Sequence, residues 1–191
     1  MASFNLIDEK WIPCVDMNGH REEYGLLETL KRAHKFEDIQ DASPLVTVSL
    51  FRLLLAILHR NFGPSNPDGW VVLWNKGQWD AETLEAYFDK CRPYFYLFDE
   101  EHPFFQVPVL LEAKKDPSQL LSLESAAKHN ATLFDHSWDE GGEKMTPAKA
   151  ARYLVARQAF SIGFGKSKPF YLSDSSLIRG LSVLLVGTNL F

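Results

Sequence analysis

The first group of candidate functional residues lies in one basic stretch. From Lys144 to Ser173 the sequence has six cations and no Asp or Glu, although the chain of 191 residues carries a formal charge of −5. Such a stretch on an acidic protein can hold a phosphate backbone at one place. Nucleic acid is therefore the first partner to consider, although solvated cations on an ordinary helix would give the same pattern. The six are Lys144, Lys149, Arg152, Arg157, Lys166 and Lys168.

Two glycines lie inside the basic stretch. Gly163 and Gly165 flank Phe164, and Lys166 and Lys168 follow. Glycine lets backbone amides approach a groove or a phosphate closely, while the two lysines supply positive charge beside them. The alternative is a helix C-cap that leads into a surface loop. Both interpretations stay open from the residues alone.

The common enzyme motifs are absent. Phe160 occupies the first glycine position of a phosphate-binding loop, and Lys168 occupies the third glycine position of a dinucleotide fingerprint. The sequence also has no G-x-S-x-G and no H-E-x-x-H motif. These absences argue against an NTPase, a dinucleotide-binding enzyme and the familiar hydrolases.

A second candidate region is the polar stretch 124–144, which predicts a long loop. His129, Asp135 and His136 lie in it, but their spacing matches no zinc site and the stretch has no cysteine. We therefore expect no metal. Phe134 has no flanking apolar periodicity, so it either stacks on a base or anchors the loop to the core.

A hairpin is the first predicted element of the fold. The patterns predict strands at Trp11 to Val15 and Arg21 to Tyr24 around the Asn18-Gly19 turn. A short helix with a leucine face follows Gly25. A long helix then begins at Ser43-Pro44 and ends before Gly63, and its apolar residues occupy nearly the whole circumference. This pattern predicts a central buried helix.

Two further helices are predicted. One begins at the Asp80 cap and ends before Pro93, and the other begins at Thr146-Pro147 and ends at Gly163. Three other segments have apolar or aromatic patterns. Tyr94 to Phe98 and Phe104 to Leu111 are each an edge strand or an extended loop, and Leu181 to Val186 is a buried strand. The predicted fold class is mixed α+β, with short strands and long loops.

Bulk properties indicate a packed protein in a reducing compartment. Hydrophobic residues make up 46% of the chain, which suits one domain over residues 1–191. Cys14 and Cys91 form no C-x-x-C pair, and no signal peptide precedes them, so we expect a cytoplasmic protein. The longest apolar block, Leu45 to Leu58, is shorter than a membrane span and contains Arg52, so no membrane partner is expected.

Several segments, taken in order and spacing over nearly the whole chain, resemble the N-terminal domain of the CasA family, the large subunits of the type I-E CRISPR Cascade complex. These segments are Phe4-Asn5-Leu6-Ile7, Trp11-Ile12-Pro13, Glu101 to Gln106, Leu133-Phe134-Asp135-His136, Gly163-Phe164-Gly165 and Arg179 to Phe191. The resemblance implies an irregular mixed α+β domain that is not an enzyme and needs no cofactor. It also implies that the C-terminal helical bundle of the family would lie beyond Phe191.

The resemblance further implies recognition of the protospacer-adjacent motif in double-stranded DNA, contact with the guide RNA near its 5′ handle, and recruitment of a helicase-nuclease. The implied partners are guide RNA, duplex DNA, other Cascade subunits and that effector. The stretch from Asn130 to Gly142 is similar to the family loop at the 5′ handle, and Gly163 to Lys166 is similar to its minor-groove loop. The implied nucleic-acid-binding residues are Asn130, Phe134, Asp135, His136, Gly163, Phe164, Gly165, Lys166 and Lys168.

This sequence departs from the family pattern in two loops. Lys166-Ser167-Lys168 replaces a run of glycines, which implies a more electrostatic contact with DNA. Glu140 to Glu143 stands where some members have C-x-x-C, which again argues against a metal. Two other functions remain open: a protein-interaction scaffold without nucleic-acid contact, and a hydrolase with an unrecognised site.

Overall fold

The computed structural model describes residues 4–106 and 145–160, and these residues form the mixed α+β fold that the sequence predicts. The described part contains a three-stranded antiparallel sheet and five α-helices. The strands are β1 (Ile12–Asp16), β2 (Arg21–Tyr24) and β3 (Phe36–Ile39). The helices are α1 (Leu26–Lys31), α2 (Pro44–Phe62), α3 (Pro67–Lys76), α4 (Ala81–Cys91) and α5 (Pro147–Phe160).

The predicted N-terminal hairpin is confirmed. β1 pairs with β2 in antiparallel register, and Gly19 in the turn between them has a φ of +81°, which glycine adopts without strain. On the other side β1 pairs with β3, so that the strand order is β2-β1-β3. Strand β3 is not predicted from the sequence, because only Phe36 and Ile39 of its four residues are buried and the strand is too short to show an alternating pattern.

The segment before β1 is held in the interior by its backbone. The carbonyl oxygen of Leu6 accepts hydrogen bonds from the indole Nε1 of Trp11 at 2.8 Å and from the backbone N of Leu26 at 3.0 Å. A Cβ atom at Gly25 would lie 2.4 Å from the carbonyl oxygen of Ile7, so only glycine allows this close approach. The N-terminal residues that carry the family resemblance therefore have a structural role here.

Helix α2 begins and ends where the sequence predicts. The Oγ atom of Ser43 accepts a long hydrogen bond of 3.5 Å from the backbone N of Val46, and Gly63 follows the last turn. Helix α2 is the central helix that the sequence predicts, although its burial is one-sided among the described residues. Its buried residues lie mainly on the side that packs against α5, α4 and β3, while Val48 is 37% exposed. By length and composition alone α2 could also cross a membrane, as core helices of soluble proteins often could.

The helix predicted after Asp80 is confirmed as α4. Helix α3, which precedes it, was not predicted from the sequence. Asp80 Oδ2 accepts hydrogen bonds from the N and Oγ1 atoms of Thr83, at 2.9 and 2.6 Å, and thereby caps α4. Helix α3 is capped by Asn66 and has no buried residue. It was missed because its apolar residues are consecutive and do not mark one face.

Tyr94 to Phe98 was predicted to be either an edge strand or an extended loop, and the structure shows irregular chain without a regular strand. Arg92–Phe95 is a short 3₁₀ helix, and Tyr96 forms only an isolated bridge with Asn5. Phe104 to Gln106 is a turn. Residues 107–111 and the predicted strand Leu181 to Val186 lie outside the described residues.

The two cysteines should differ in reactivity. Cys14 is 1% exposed, and burial raises the pKa of its thiol to about 12, whereas Cys91 is partly exposed at the end of α4. At pH 8 only about one Cys14 thiol in ten thousand would be ionised. We expect iodoacetamide to label Cys91 in the folded chain and to label Cys14 only after denaturation, as measured by mass spectrometry of the peptides.

Cys91→Ser provides the control, because it should abolish labelling of the native protein. Labelling of Cys14 in the native protein at a rate similar to that of Cys91 would show that the core around β1 is not closed as described.

Candidate nucleic-acid interface

The nine nucleic-acid-binding residues predicted from the sequence all lie outside the described residues. They fall within 107–144 and 161–191. The structure does describe the residues that lead into each segment. The turn that ends at Gln106 precedes residue 107, and helix α5 precedes residue 161. The positions of this turn and this helix determine where each segment begins.

Helix α5 begins as the sequence predicts and packs with its apolar face on the core. The Oγ1 atom of Thr146 accepts a hydrogen bond of 3.2 Å from the backbone N of Lys149. Ala151, Leu154 and Val155 are buried, and the helix packs most extensively on α2. The predicted continuation to Ile162 and Gly163 lies outside the described residues.

Arg152 corrects the charge analysis, because its side chain points inward and is neutralised. Its Nη1 atom lies 2.6 Å from Glu23 Oε1 and donates a 2.8 Å hydrogen bond to the carbonyl oxygen of Trp11. Its Nε atom forms an ion pair with Asp41 Oδ2 at 3.0 Å, at an angle outside hydrogen-bonding geometry. The side chains of Arg152 and Asp41 are only 14% and 12% exposed. Arg152 is therefore a structural residue and does not contribute to a basic surface.

Asp41 extends this connection to a third element. Its Oδ1 atom accepts a 2.9 Å hydrogen bond from the backbone N of Ser43, the residue that caps α2. One guanidinium group thus joins α5 to the β1–β2 hairpin and, through Asp41, to the start of α2. No local pattern in the sequence signals these contacts, because the partners lie more than 100 positions from Arg152.

The other two described cations of the basic stretch are at the surface of α5. Lys149 is partly exposed, with its Nζ atom 5.8 Å from the centroid of the Tyr153 ring. Arg157 is also partly exposed and forms no ion pair with any described residue. The two are eight residues apart, or about 12 Å along the helix axis. This surface is less positive than the sequence suggested.

A hydrogen bond brings together the points from which the two candidate segments begin. The Nε2 atom of Gln158, near the end of the described part of α5, donates to the carbonyl oxygen of Phe105 at 3.1 Å. Residue 107 is two positions beyond Phe105, and residue 161 is three positions beyond Gln158. The segments that begin at residues 107 and 161, predicted to bind RNA and DNA, therefore each start within three residues of this hydrogen bond.

Two features of the described residues bear on a metal or a bound ligand, and neither shows a metal cluster or a ligand-sized cavity. They contain no group of three or more His, Cys, Asp or Glu side chains that could hold a metal ion. A cavity of about 40 Å³ lies between α1 and α2, and it is lined by Thr29, Leu30, Ala33, Phe51, Leu54, Leu55 and Leu58. It is apolar and far smaller than the roughly 300 Å³ of a typical ligand pocket.

Comparison with known proteins agrees with the resemblance seen in the sequence. Residues 5–191 match the family described as CRISPR-associated protein Cse1. A curated relative, the CRISPR-associated protein CasA/Cse1 of Thermus thermophilus, is 43% identical over 198 aligned positions. That alignment covers 100% of this chain and 38% of the relative, so the chain spans well under half the length of this relative.

Solved structures share the fold. Thermobifida fusca Cse1 superimposes with a TM-score of 0.81 at 28% identity, covering 98% of this chain and 38% of the other. A chain in a structure described as a CRISPR RNA-guided surveillance complex gives a TM-score of 0.73 at 24% identity, covering 86% of this chain and 36% of that one. At that identity the second comparison shows the fold alone.

Replacement of Arg152 should destabilise the fold. Arg152→Ala would leave Asp41 nearly buried without its cation, and we expect the free energy of unfolding to fall by about 2–4 kcal/mol. Urea denaturation followed by circular dichroism measures this change. Arg152→Lys should recover only part of the loss, because an ammonium group cannot reproduce the three contacts of the guanidinium group.

Arg157→Ala is the matched control on the same helix, with an expected change within about 0.5 kcal/mol. Equal stability of the Arg152→Ala and Arg157→Ala variants would contradict the structural role of Arg152.

Proposed function

This chain belongs to the CRISPR-associated protein Cse1 family, and we propose from that premise that it is a non-catalytic subunit of the RNA-guided surveillance complex Cascade in the cytoplasm. Its partners there would be the guide RNA and other Cascade subunits. The solved surveillance complex supports the proposal to the extent that it contains a chain of the same fold. In such an assembly guide pairing reads most of the target, and the protein reads only a short flanking motif.

Within that assembly, the chain would recognise the protospacer-adjacent motif in double-stranded DNA. Gly163 and Gly165 would let the backbone around Phe164 enter the minor groove closely. Lys166 and Lys168 would neutralise phosphates beside it. No bond is made or broken in this step, so the proposed role is recognition and not catalysis.

The second segment would contact the guide RNA near its 5′ handle. Phe134 would stack on an unpaired base, while Asn130, Asp135 and His136 would offer hydrogen-bonding groups to bases and ribose hydroxyls. Once one segment has bound the guide RNA and the other the target duplex, the assembly would recruit the helicase-nuclease. Neighbouring starting points for the two segments would be consistent with one shared interface.

The Gln158–Phe105 hydrogen bond is the observation that carries the proposal. It joins the end of the described part of α5 to the turn before residue 107, so both candidate segments start within a few residues of one contact. Arg152 supports the same arrangement, because it fixes α5 on the hairpin. Both candidate segments would therefore extend from the same region of the protein.

A protein-interaction scaffold remains the second candidate, and exposed apolar residues favour it. Trp70, Val71 and Val72 of α3 are each more than half exposed. Large exposed apolar side chains are common at protein interfaces. The inward orientation of Arg152 also reduces the positive charge available on α5.

Charge reversal at the minor-groove segment separates the two candidates. We expect Lys166→Glu with Lys168→Glu to weaken duplex binding by the guide-loaded complex by at least about tenfold. The two lost phosphate contacts should lower the slope of log K against log salt by about 2. Filter binding over a salt series, with duplexes that match the guide and carry a pool of flanking motifs, measures both quantities.

Lys35→Glu with Lys90→Glu is the matched control, since it makes the same change in charge at two exposed positions on other elements. Assembly of each variant with the guide RNA is checked first. If the Lys166 and Lys168 variant binds duplex as tightly as the control, with the same salt slope, the scaffold function is favoured.

A further inference from the structure

A second surface, outside the predicted nucleic-acid segments, has an unusual combination of aromatic and acidic residues. Residues 93–106 contain six aromatic side chains and three acidic ones, with no Lys or Arg. Tyr94, Phe98 and Phe105 are 60%, 47% and 47% exposed. We call these three side chains, together with the acidic turn Asp99 to Glu101, the aromatic ledge.

The residues of the aromatic ledge belong to one compact loop, residues 94–106. The backbone N of Phe104 donates to the carbonyl oxygen of Tyr96 at 2.9 Å, and the ring centroids of Tyr94 and His102 are 5.6 Å apart. Residues 94–98 and 102–106 are therefore the two sides of the loop, and the acidic turn closes it. The exposed rings and the acidic turn thus belong to the same loop.

Phe105 is the exposed end of a ladder of stacked rings. The centroids of Phe95 and Phe104 are 5.5 Å apart with 27° between the ring planes, and those of Phe104 and Phe105 are 4.2 Å apart with 28° between them. Phe95 and Phe104 are 8% and 5% exposed, whereas Phe105 is 47% exposed. The ladder therefore begins in the core and ends in a ring that a further flat group could stack upon.

The backbone holds Phe105 in this position. Its φ of +53° is uncommon for a residue with a side chain. The Nε2 atom of Gln106 donates to the carbonyl oxygens of Leu97 and Phe104, and that of Gln158 donates to the carbonyl oxygen of Phe105. These bonds fix the turn on both sides, so the exposed ring is pre-positioned for a partner.

The acidic turn determines which partner fits. Asp99 Oδ1 accepts hydrogen bonds from the backbone N atoms of Glu101 and His102, at 2.9 and 2.7 Å, and these bonds lower the pKa of Asp99. Glu100 and Glu101 are exposed, and their carboxylates pair with no described residue. A phosphate group would be repelled here, whereas a cation would be attracted.

Arginine is the cation that matches both features. Its planar guanidinium group stacks on aromatic rings and forms paired hydrogen bonds with carboxylates, which the ammonium group of lysine does less well. The same chemistry occurs within this chain. The guanidinium carbon of Arg32 lies 4.8 Å from the centroid of the Tyr24 ring, and its Nη1 atom lies 3.6 Å from Glu28 Oε1.

We propose that the aromatic ledge docks an arginine-bearing segment of a protein partner. Arginine side chains of that segment stack on Phe105 or Tyr94 and pair with Glu100 and Glu101. The inference rests on the ledge itself and does not depend on the proposed recognition of duplex DNA. Its test accordingly needs neither guide RNA nor target.

The test compares two labelled octapeptides, one of alternating Gly and Arg and one of alternating Gly and Lys, which carry the same charge. Fluorescence anisotropy with the 191-residue chain at about 0.15 M salt should show the arginine peptide binding at least about threefold more tightly. Phe105→Ala and Tyr94→Ala should each reduce that preference. Glu100→Gln with Glu101→Gln should weaken the binding of both peptides.

Matched controls lie elsewhere on the described surface. Trp70→Ala removes an aromatic ring that is 56% exposed, and Glu37→Gln with Glu82→Gln removes two exposed carboxylates. Neither control should change the preference for arginine. Circular dichroism checks the folding of each variant. Tyr94→Ala provides a test that leaves Phe105, the residue with positive φ, unchanged.

Three results would overturn the proposal. The first is equal binding of the two peptides by the unmodified chain. The second is an arginine preference that survives both the Phe105→Ala and the Tyr94→Ala substitution. The third is tighter binding of a short oligothymidylate than of the arginine peptide, lost on Phe105→Ala, which would assign the ledge to unpaired nucleobases.

Discussion

A single guanidinium group, that of Arg152, connects the parts of the fold on which the functional proposals depend. It contacts the Trp11 carbonyl and Glu23 in the hairpin, and it pairs with Asp41 beside the cap of α2. This connection fixes α5, whose Gln158 then reaches the carbonyl oxygen of Phe105. A cation that the sequence assigned to a basic surface therefore has a structural role, since it fixes the helix that precedes residues 161–191.

Much of the fold could be predicted from the sequence because its elements have strong local signals. The Asn18-Gly19 turn, the Ser43-Pro44 start, the Asp80 cap and the Thr146-Pro147 start each act within four residues of their position in the chain. The structure confirms all four. β3 and α3 were missed because a four-residue strand and a helix without a buried face have no periodicity to detect.

The candidate site was less predictable, because its described features depend on long-range contacts. Charge counting could not distinguish Arg152 from Arg157, although one is paired in the interior and the other is at the surface. The aromatic ledge was visible in the sequence only as an aromatic run, and its exposed ring depends on the positive φ of Phe105. The sequence did identify the family, and the family match over residues 5–191 bears this out.

The central claim is that two segments that begin from neighbouring points engage guide RNA and duplex DNA. Site-specific photo-crosslinking tests it most directly, with a benzophenone amino acid in place of Phe134 or Phe164 in the complex assembled with guide RNA and target duplex. The account predicts that position 134 crosslinks to the guide RNA and position 164 to the DNA. Crosslinks from both positions to protein alone would contradict it.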